Sequence, residues 1–218
     1  MGFERAAWPR IVPFALYMGF IALADLLGWA AAAPRWLYGV KVGVVLLALL
    51  YWWRRYDELR VPLPGARALL EALAVGLVVL VLWVNLDAGW MVIGQSAGFD
   101  PTADGAIQWP LVLMRIAGAA LVVPVMEELF WRSFVMRWLA APKFLEVHPA
   151  RVGLRGFVIT ALLFGVEHNL WFAGVVAGVA YGWLYMRSGN LWSPVVAHAV
   201  TNGALGVWIT CTGNWSYW

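Results

Sequence analysis

The sequence predicts an all-α polytopic integral membrane protein, a helical bundle with a polar cavity inside the bilayer. Three observations predict it. Of 218 residues, 63% are hydrophobic and only 12% charged, a balance foreign to soluble globular domains. The apolar residues fall into seven runs near the roughly 20 residues that a helix needs to cross the hydrocarbon core. Sixteen tryptophans are present, many at the ends of those runs (Trp36, Trp52, Trp109, Trp138, Trp171, Trp192), where an indole sits half in lipid with its N–H in water.

In order, the runs are 11–31, 36–53, 68–86, 109–139, 155–169, 171–187 and 190–210. About seven transmembrane helices result, or eight if the fourth breaks near Pro124, since proline removes a helix N–H and crowds the preceding turn. The first run ends in Ala30-Ala31-Ala32-Ala33, similar to a signal-peptidase site, but the spans that follow favour a retained helix. Between the third and fourth runs, "DAGWMVIGQSAGFDPTADG" is a loop rich in Gly, Asp and Pro. There is no internal repeat. The chain reads as one membrane domain, 1–218, with N-terminal helices and an outer loop over 1–107 and a polar helical bundle over 108–210.

Positive charge orients the bundle. Arg5 and Arg10 precede the first run; Arg54, Arg55, Arg60 and Arg67 follow the second; Arg137, Lys143, Arg151 and Arg155 follow the fourth; Arg187 follows the sixth. With a cytoplasmic N-terminus all of these lie inside, while the opposite loops hold Arg35, Asp87, Asp100 and Asp104, so the expectation is N-in and C-out. The net charge of +3 follows from those loops. No basic tract or stacking platform is present, and nucleic acid is not expected as a partner. The single Cys211 excludes an internal disulfide and a cysteine metal cluster.

Polar groups inside apolar runs are costly unless paired or used, so they carry the functional information. The fourth run contains Glu127, Glu128 and Arg132, the fifth ends with Phe164, Glu167, His168 and Asn169, and the seventh holds His198 and Asn202. Counted from the cytoplasmic charges, Glu127, His168 and His198 each lie roughly 15–20 Å into the membrane. Arg115, about 33 Å from Arg137 along the same helix, falls at the outer interface, where it can snorkel. Residues i and i+4 share a helix face. Glu128 can therefore pair with Arg132, Phe164 lies beside His168, and His198 and Asn202 present two polar heads together. Glu127 points about 100° away from its neighbour.

Each group has a plainer reading. Glu128 and Arg132 read best as a buried ion pair that fixes packing. A lone histidine or Asn202 could be an interhelical hydrogen bond, but two histidines at the depth of an unpaired Glu127 point to function. Glu167 could line a polar opening. Lys41 and Asp25 read as snorkelling or helix-bridging groups. Gly174, Gly178 and Gly182 repeat every fourth residue and read as a close-packing ridge.

These residues spell Glu127-Glu128-Leu-Phe-Trp-Arg132, Phe164-Gly-Val-Glu-His168 and His198-Ala-Val-Thr-Asn202, in order over 121–205. The pattern resembles the CAAX-protease and bacteriocin-processing family of intramembrane glutamic endopeptidases, whose motifs are Glu-Glu-x-x-x-Arg, Phe-x-x-x-His and His-x-x-x-Asn. The N-terminal half, with "GVKVGVVLLALLYWWRRYDEL", looks like the subgroup associated with exosortase systems. The resemblance implies Glu127 with His168 as the base that activates water, His198 and Asn202 as oxyanion donors, and Glu128, Arg132 and Phe164 as supports. It implies a location in a bacterial cytoplasmic membrane and a membrane-associated peptide or protein as substrate. Prenylation of that substrate and the oligomeric state stay open.

No cofactor is expected. The alternative is Zn on Glu127, His168 and His198, disfavoured because no His-Glu-x-x-His helix is present. Two other functions compete: a non-catalytic scaffold or immunity factor on the same frame, and a proton-coupled transporter, against which the lack of repeated halves counts.

Overall fold

The structure, a computed structural model, describes residues 4–29, 34–94, 96 and 98–218; the Ala30-Ala31-Ala32-Ala33 run lies outside the described residues. The described chain is mainly helical, with α1 (Trp8–Leu26), α2 (Leu37–Tyr51), α3 (Ala66–Trp83), α4 (Trp109–Trp138), α5 (Gly153–Val166), α6 (Trp171–Ser188) and α7 (Trp192–Thr212). These correspond to the seven expected runs. Four of them, α1, α3, α4 and α7, are long and apolar enough to cross a membrane, while α2 and α5 are shorter apolar helices.

Helix α4 does not break at Pro124. It stays continuous by widening: Gly118–Val122 and Leu129–Val135 are π-helical, and the α-helical turn Val123–Glu128 lies between them. Pro124 cannot donate to the carbonyl of Ala120 and its ring crowds that turn; the wide turn ending at Val122 absorbs the conflict. The outcome for function is that both motif glutamates sit on a short regular segment framed by irregular backbone.

Helix α5 lies along α6, and α3 along α7. The glycine ridge of α6 is a close-packing face. A Cβ at Gly178 would stand 2.9 Å from the Ala161 backbone, and one at Gly174 would stand 2.9 Å from Gly165. That approach brings the end of α5, with His168, against the helix that carries Tyr181. The outer loop contains a feature the sequence reading did not single out, a short antiparallel hairpin of β1 (Thr102–Ala103) and β2 (Ala106–Ile107). Asp104 and Gly105 form its turn with φ of 51° and 77°, the doubly left-handed geometry that Asp-Gly favours.

Two arginines assigned above to cytoplasmic loops are buried instead. Arg10 is 1% exposed and Arg137 6%. Arg10 donates to both oxygens of Glu58 at 2.8 and 2.6 Å and to the carbonyls of Ala6 and Arg55. Ser133 of α4 donates a short hydrogen bond to the same carboxylate. Arg137 donates to the carbonyls of Val147 and Leu145, both at 2.8 Å. Burial is tolerated because every nitrogen of these guanidinium groups has at least one acceptor, Tyr185 Oη serving Nη1 of Arg137.

Glu58 lies outside the spans. Burial opposes its ionisation, but the hydrogen bonds and charge of Arg10 and the hydroxyl of Ser133 outweigh burial, and its pKa is held below the ordinary carboxylate value of 4.5. A depressed folded-state pKa gives stability that is complete above the unfolded value and lost as pH falls through the folded one. The thermal midpoint is therefore expected to hold from pH 7 to about 5 and to fall in more acidic buffer. Glu58→Gln should flatten that acid slope; an unchanged slope would remove the Arg10–Glu58 contact from the account.

Candidate active site

Three helices supply the polar residues. Glu127, Glu128 and Arg132 come from α4, His168 from the turn after α5, and His198 and Asn202 from α7. The structure brings all of them to one region. Glu127, Glu167, His168, Tyr181, His198 and Asn202 line a cavity of about 610 Å³, a volume typical of ligand sites. Glu128 and Arg132 lie behind this wall and are fully buried.

Glu128 is the fixed point. Its Oε1 accepts from Arg132 Nη1 at 3.0 Å and lies 3.0 Å from His198 Nδ1. Arg132 also donates to the carbonyl of Gly178 at 3.4 Å and stacks over Phe164 at 4.2 Å. The Glu128–Arg132 pair is as the i, i+4 spacing requires, but it is part of a triad with His198. Since an ionised Glu128 only accepts, the proton between them belongs to Nδ1 of His198, and Nε2 is turned toward Glu127, 3.9 Å from its Oε2. Tyr181 stacks on the imidazole, ring centres 4.9 Å apart at 21°, and donates to Thr201 at 2.7 Å.

His168 is fixed in the same sense. Its Nδ1 lies 2.8 Å from the carbonyl of Phe164, which as an acceptor places the proton on Nδ1 and leaves Nε2 as the free nitrogen. Phe164 and the edge of Trp83 hold the ring, at 4.9 and 5.3 Å between centres. In the neutral form both histidines thus keep Nε2 unprotonated. His198 can donate from Nε2 only as an imidazolium.

Asn202 donates to the carbonyl of Ala119 at 2.9 Å. Ala119 lies in the first π-helical stretch of α4, so the wide turn and the third motif are joined directly. Only one of the two amide hydrogens is used in this bond.

Glu167 lines the cavity, as its reading as a residue of a polar opening expects, while Trp131 and Tyr181 carry no signal in the motifs. In the structure Trp131 Nε1 donates to Glu167 Oε1 at 2.9 Å, which turns the carboxyl group toward Glu127. The ligating atoms of Glu127, Glu167 and His168 all lie within 4.8 Å of one another. Glu127 Oε2 and Glu167 Oε2 are buried and have no protein hydrogen-bond partner among the described residues. If this centre held a divalent ion, these three residues would be its donors; His198, whose Nδ1 is bonded to Glu128, keeps Nε2 toward Glu127 at its edge. A buried tyrosine or tryptophan in a membrane helix needs a partner for its polar atom, and that was the available signal for Tyr181 and Trp131.

With the carboxyl groups of Glu127 and Glu167, two free imidazole nitrogens and an amide around one cavity, the arrangement suits proton transfer to and from a small polar molecule held between α4 and α7. Residues 108–204 match the family model described as type II CAAX prenyl endopeptidase Rce1-like, a segment that contains all three motifs. No curated protein and no solved structure gave a match.

Proposed function

We propose, from the match of residues 108–204 to the Rce1-like CAAX endopeptidase family, that the protein is an intramembrane endopeptidase that hydrolyses a peptide bond of a membrane-associated substrate by activating water. The observation that supports this most is the pairing of two adjacent glutamates with different fates. Glu128 is tied to Arg132 and His198, whereas Glu127 Oε2 is buried on the cavity wall with no protein hydrogen-bond partner among the described residues and only Nε2 of His198 near it, at 3.9 Å.

In this mechanism water binds between Glu127, Glu167 and His168. Glu127 or Nε2 of His168 takes its proton as the oxygen attacks the scissile carbonyl. The oxyanion that develops faces α7, where the second N–H of Asn202 and Nε2–H of a protonated His198 donate to it. Glu128 holds that imidazolium in place, and Arg132 holds Glu128. Collapse of the intermediate breaks the C–N bond, and the proton held on Glu127 or His168 passes to the leaving amine. The helices that wall the site limit the access of bulk water, which strengthens each of these contacts.

The reaction as written uses no metal. The resemblance implies a bacterial cytoplasmic membrane, and the arginine distribution supports an N-terminus in the cytoplasm and a C-terminus outside. The test is purified protein in phosphatidylcholine vesicles, given a pool of N-acylated peptides and read by mass spectrometry with and without a zinc chelator. Fragments that form equally under chelation are expected. Loss of cleavage on chelation and its return with Zn would transfer water activation to a metal on Glu127, Glu167 and His168.

A further inference from the structure

Lys41 and Arg115 are cations within apolar helices, and the mechanism uses neither. Lys41 lies on α2 and Arg115 on α4. The Lys41 Nζ is 4.0 Å from the centre of the Tyr17 ring and 5.3 Å from that of Tyr38. The Arg115 guanidinium is 4.8 Å from Tyr38, 4.5 Å from Phe99 and 5.6 Å from Trp218. Tyr38 therefore lies between the two, and both side chains are half-buried.

Among the described residues neither forms an ion pair, and both side chains lie against aromatic faces. An aromatic face attracts a cation without neutralising it and leaves the N–H groups without acceptors. Arg115 lines the same cavity as Glu127, and both cations line its continuation between α1, α2 and the outer loop. The acidic groups near them are Asp25 and Asp100, which line that continuation, and Asp87 at the cavity mouth; none is within ion-pairing distance of Lys41 or Arg115. Two like charges held together in a half-buried wall suit an anion that enters between them.

We propose that Lys41 and Arg115 form an anion subsite that binds a carboxylate of the peptide substrate. The inference rests on the reading of the protein as a peptidase. A lipid phosphate fits less well, because Arg115 faces the cavity of Glu127 and is walled by Tyr38, Phe99 and Trp218. Twelve positions separate Arg115 from Glu127 on α4, about 18 Å of helix rise. An extended peptide covers that span in about five residues, so the carboxylate belongs several residues from the bond that is cut. It is either the α-carboxylate of a C-terminal end or the side chain of an acidic residue, and a peptide held at both points can lie in the cavity in one direction only.

The experiment measures binding of three fluorescent N-acylated apolar hexapeptides to the Glu127→Gln protein in phosphatidylcholine nanodiscs. The peptides end in a free carboxylate, in a carboxamide, or in an aspartate whose α-carboxyl is amidated. A preference of about tenfold or more is expected for one carboxylate peptide over the plain amide; the free-acid peptide marks an α-carboxylate and the aspartyl peptide a side chain. That preference should vanish in Arg115→Gln, weaken in Lys41→Gln and partly return in Arg115→Lys, which keeps the charge and guards against a folding defect. Equal binding of all three peptides overturns the subsite. So does a preference that Arg115→Gln leaves unchanged, or binding that responds only to added phosphatidylglycerol. Since binding is read on a variant that need not cleave, acid-selective binding without any turnover by the wild type would fail the peptidase reading alone. Turnover without selectivity would fail the subsite alone.

Discussion

Glu127→Gln is expected to lower kcat for amide hydrolysis about 10²–10⁴-fold while the protein stays folded. The amide is nearly the same size as the carboxyl group and can sit in the same place, but it cannot take a proton from water. Because Glu127 Oε2 has no protein hydrogen-bond partner among the described residues, its replacement breaks no bond that holds the bundle together. The neighbouring change should behave differently. Glu128→Gln weakens the contacts to both Arg132 and His198, so it should lower kcat and the thermal midpoint together. A Glu127→Gln protein that unfolds, or one that keeps its full rate, would each contradict this division of roles.

The second large effect is on stability. Arg132→Met should destabilise the protein by about 3–5 kcal/mol, the usual result when one member of a buried ion pair is removed. Glu128 is fully buried and would keep only His198 as a partner; the stacking of the guanidinium on Phe164 and its bond to Gly178 would go as well. Replacing both partners, as Glu128→Leu with Arg132→Met, should recover most of the thermal midpoint, since a buried pair exchanged for apolar side chains of similar volume is often neutral. That double variant should still be inactive, because His198 would lose the carboxylate that orients its ring. A thermal midpoint for Arg132→Met equal to that of the wild type would remove the Glu128–Arg132 pair from the account of stability.

Much of this site could be read from spacing. Glu128–Arg132 and Phe164–His168 are i, i+4 pairs, and the structure joins each of them, by a 3.0 Å salt bridge and a 4.9 Å ring contact. The glycines of α6 announced a close helix approach. What spacing does not carry is how one helix faces another. Nothing in the third motif indicates that His198 reaches Glu128, or that Asn202 reaches a carbonyl on α4, because that carbonyl is presented by a π-helical stretch that depends on the packing around Pro124 and Gly118. A Cβ at Gly118 would stand 2.9 Å from the Tyr38 ring, so the wide turn and its fit against α2 arise together.

Charge counting gives a side of the membrane but not a burial state. Arg10 and Arg137 flank apolar runs, yet the short segments after α2 and α4 fold back and supply Glu58 and backbone carbonyls as partners. Glu58 itself lies in a loop with three arginines within four positions of it, and no local pattern selects which cation it meets. The Asp104-Gly105 hairpin, in contrast, was legible from its turn residues and was passed over in a segment read only as loop.

The most direct test of the central claim, that Glu127 activates water to cut peptides in the membrane, compares protein termini in host membranes and medium. Wild type is set against Glu127→Gln at matched protein levels. The account predicts specific new termini in the wild type that are missing from the variant, and each would identify a substrate and its cut site. Identical termini in the two, with an effect remaining when the whole protein is deleted, would contradict it and leave the fold as a scaffold without catalysis.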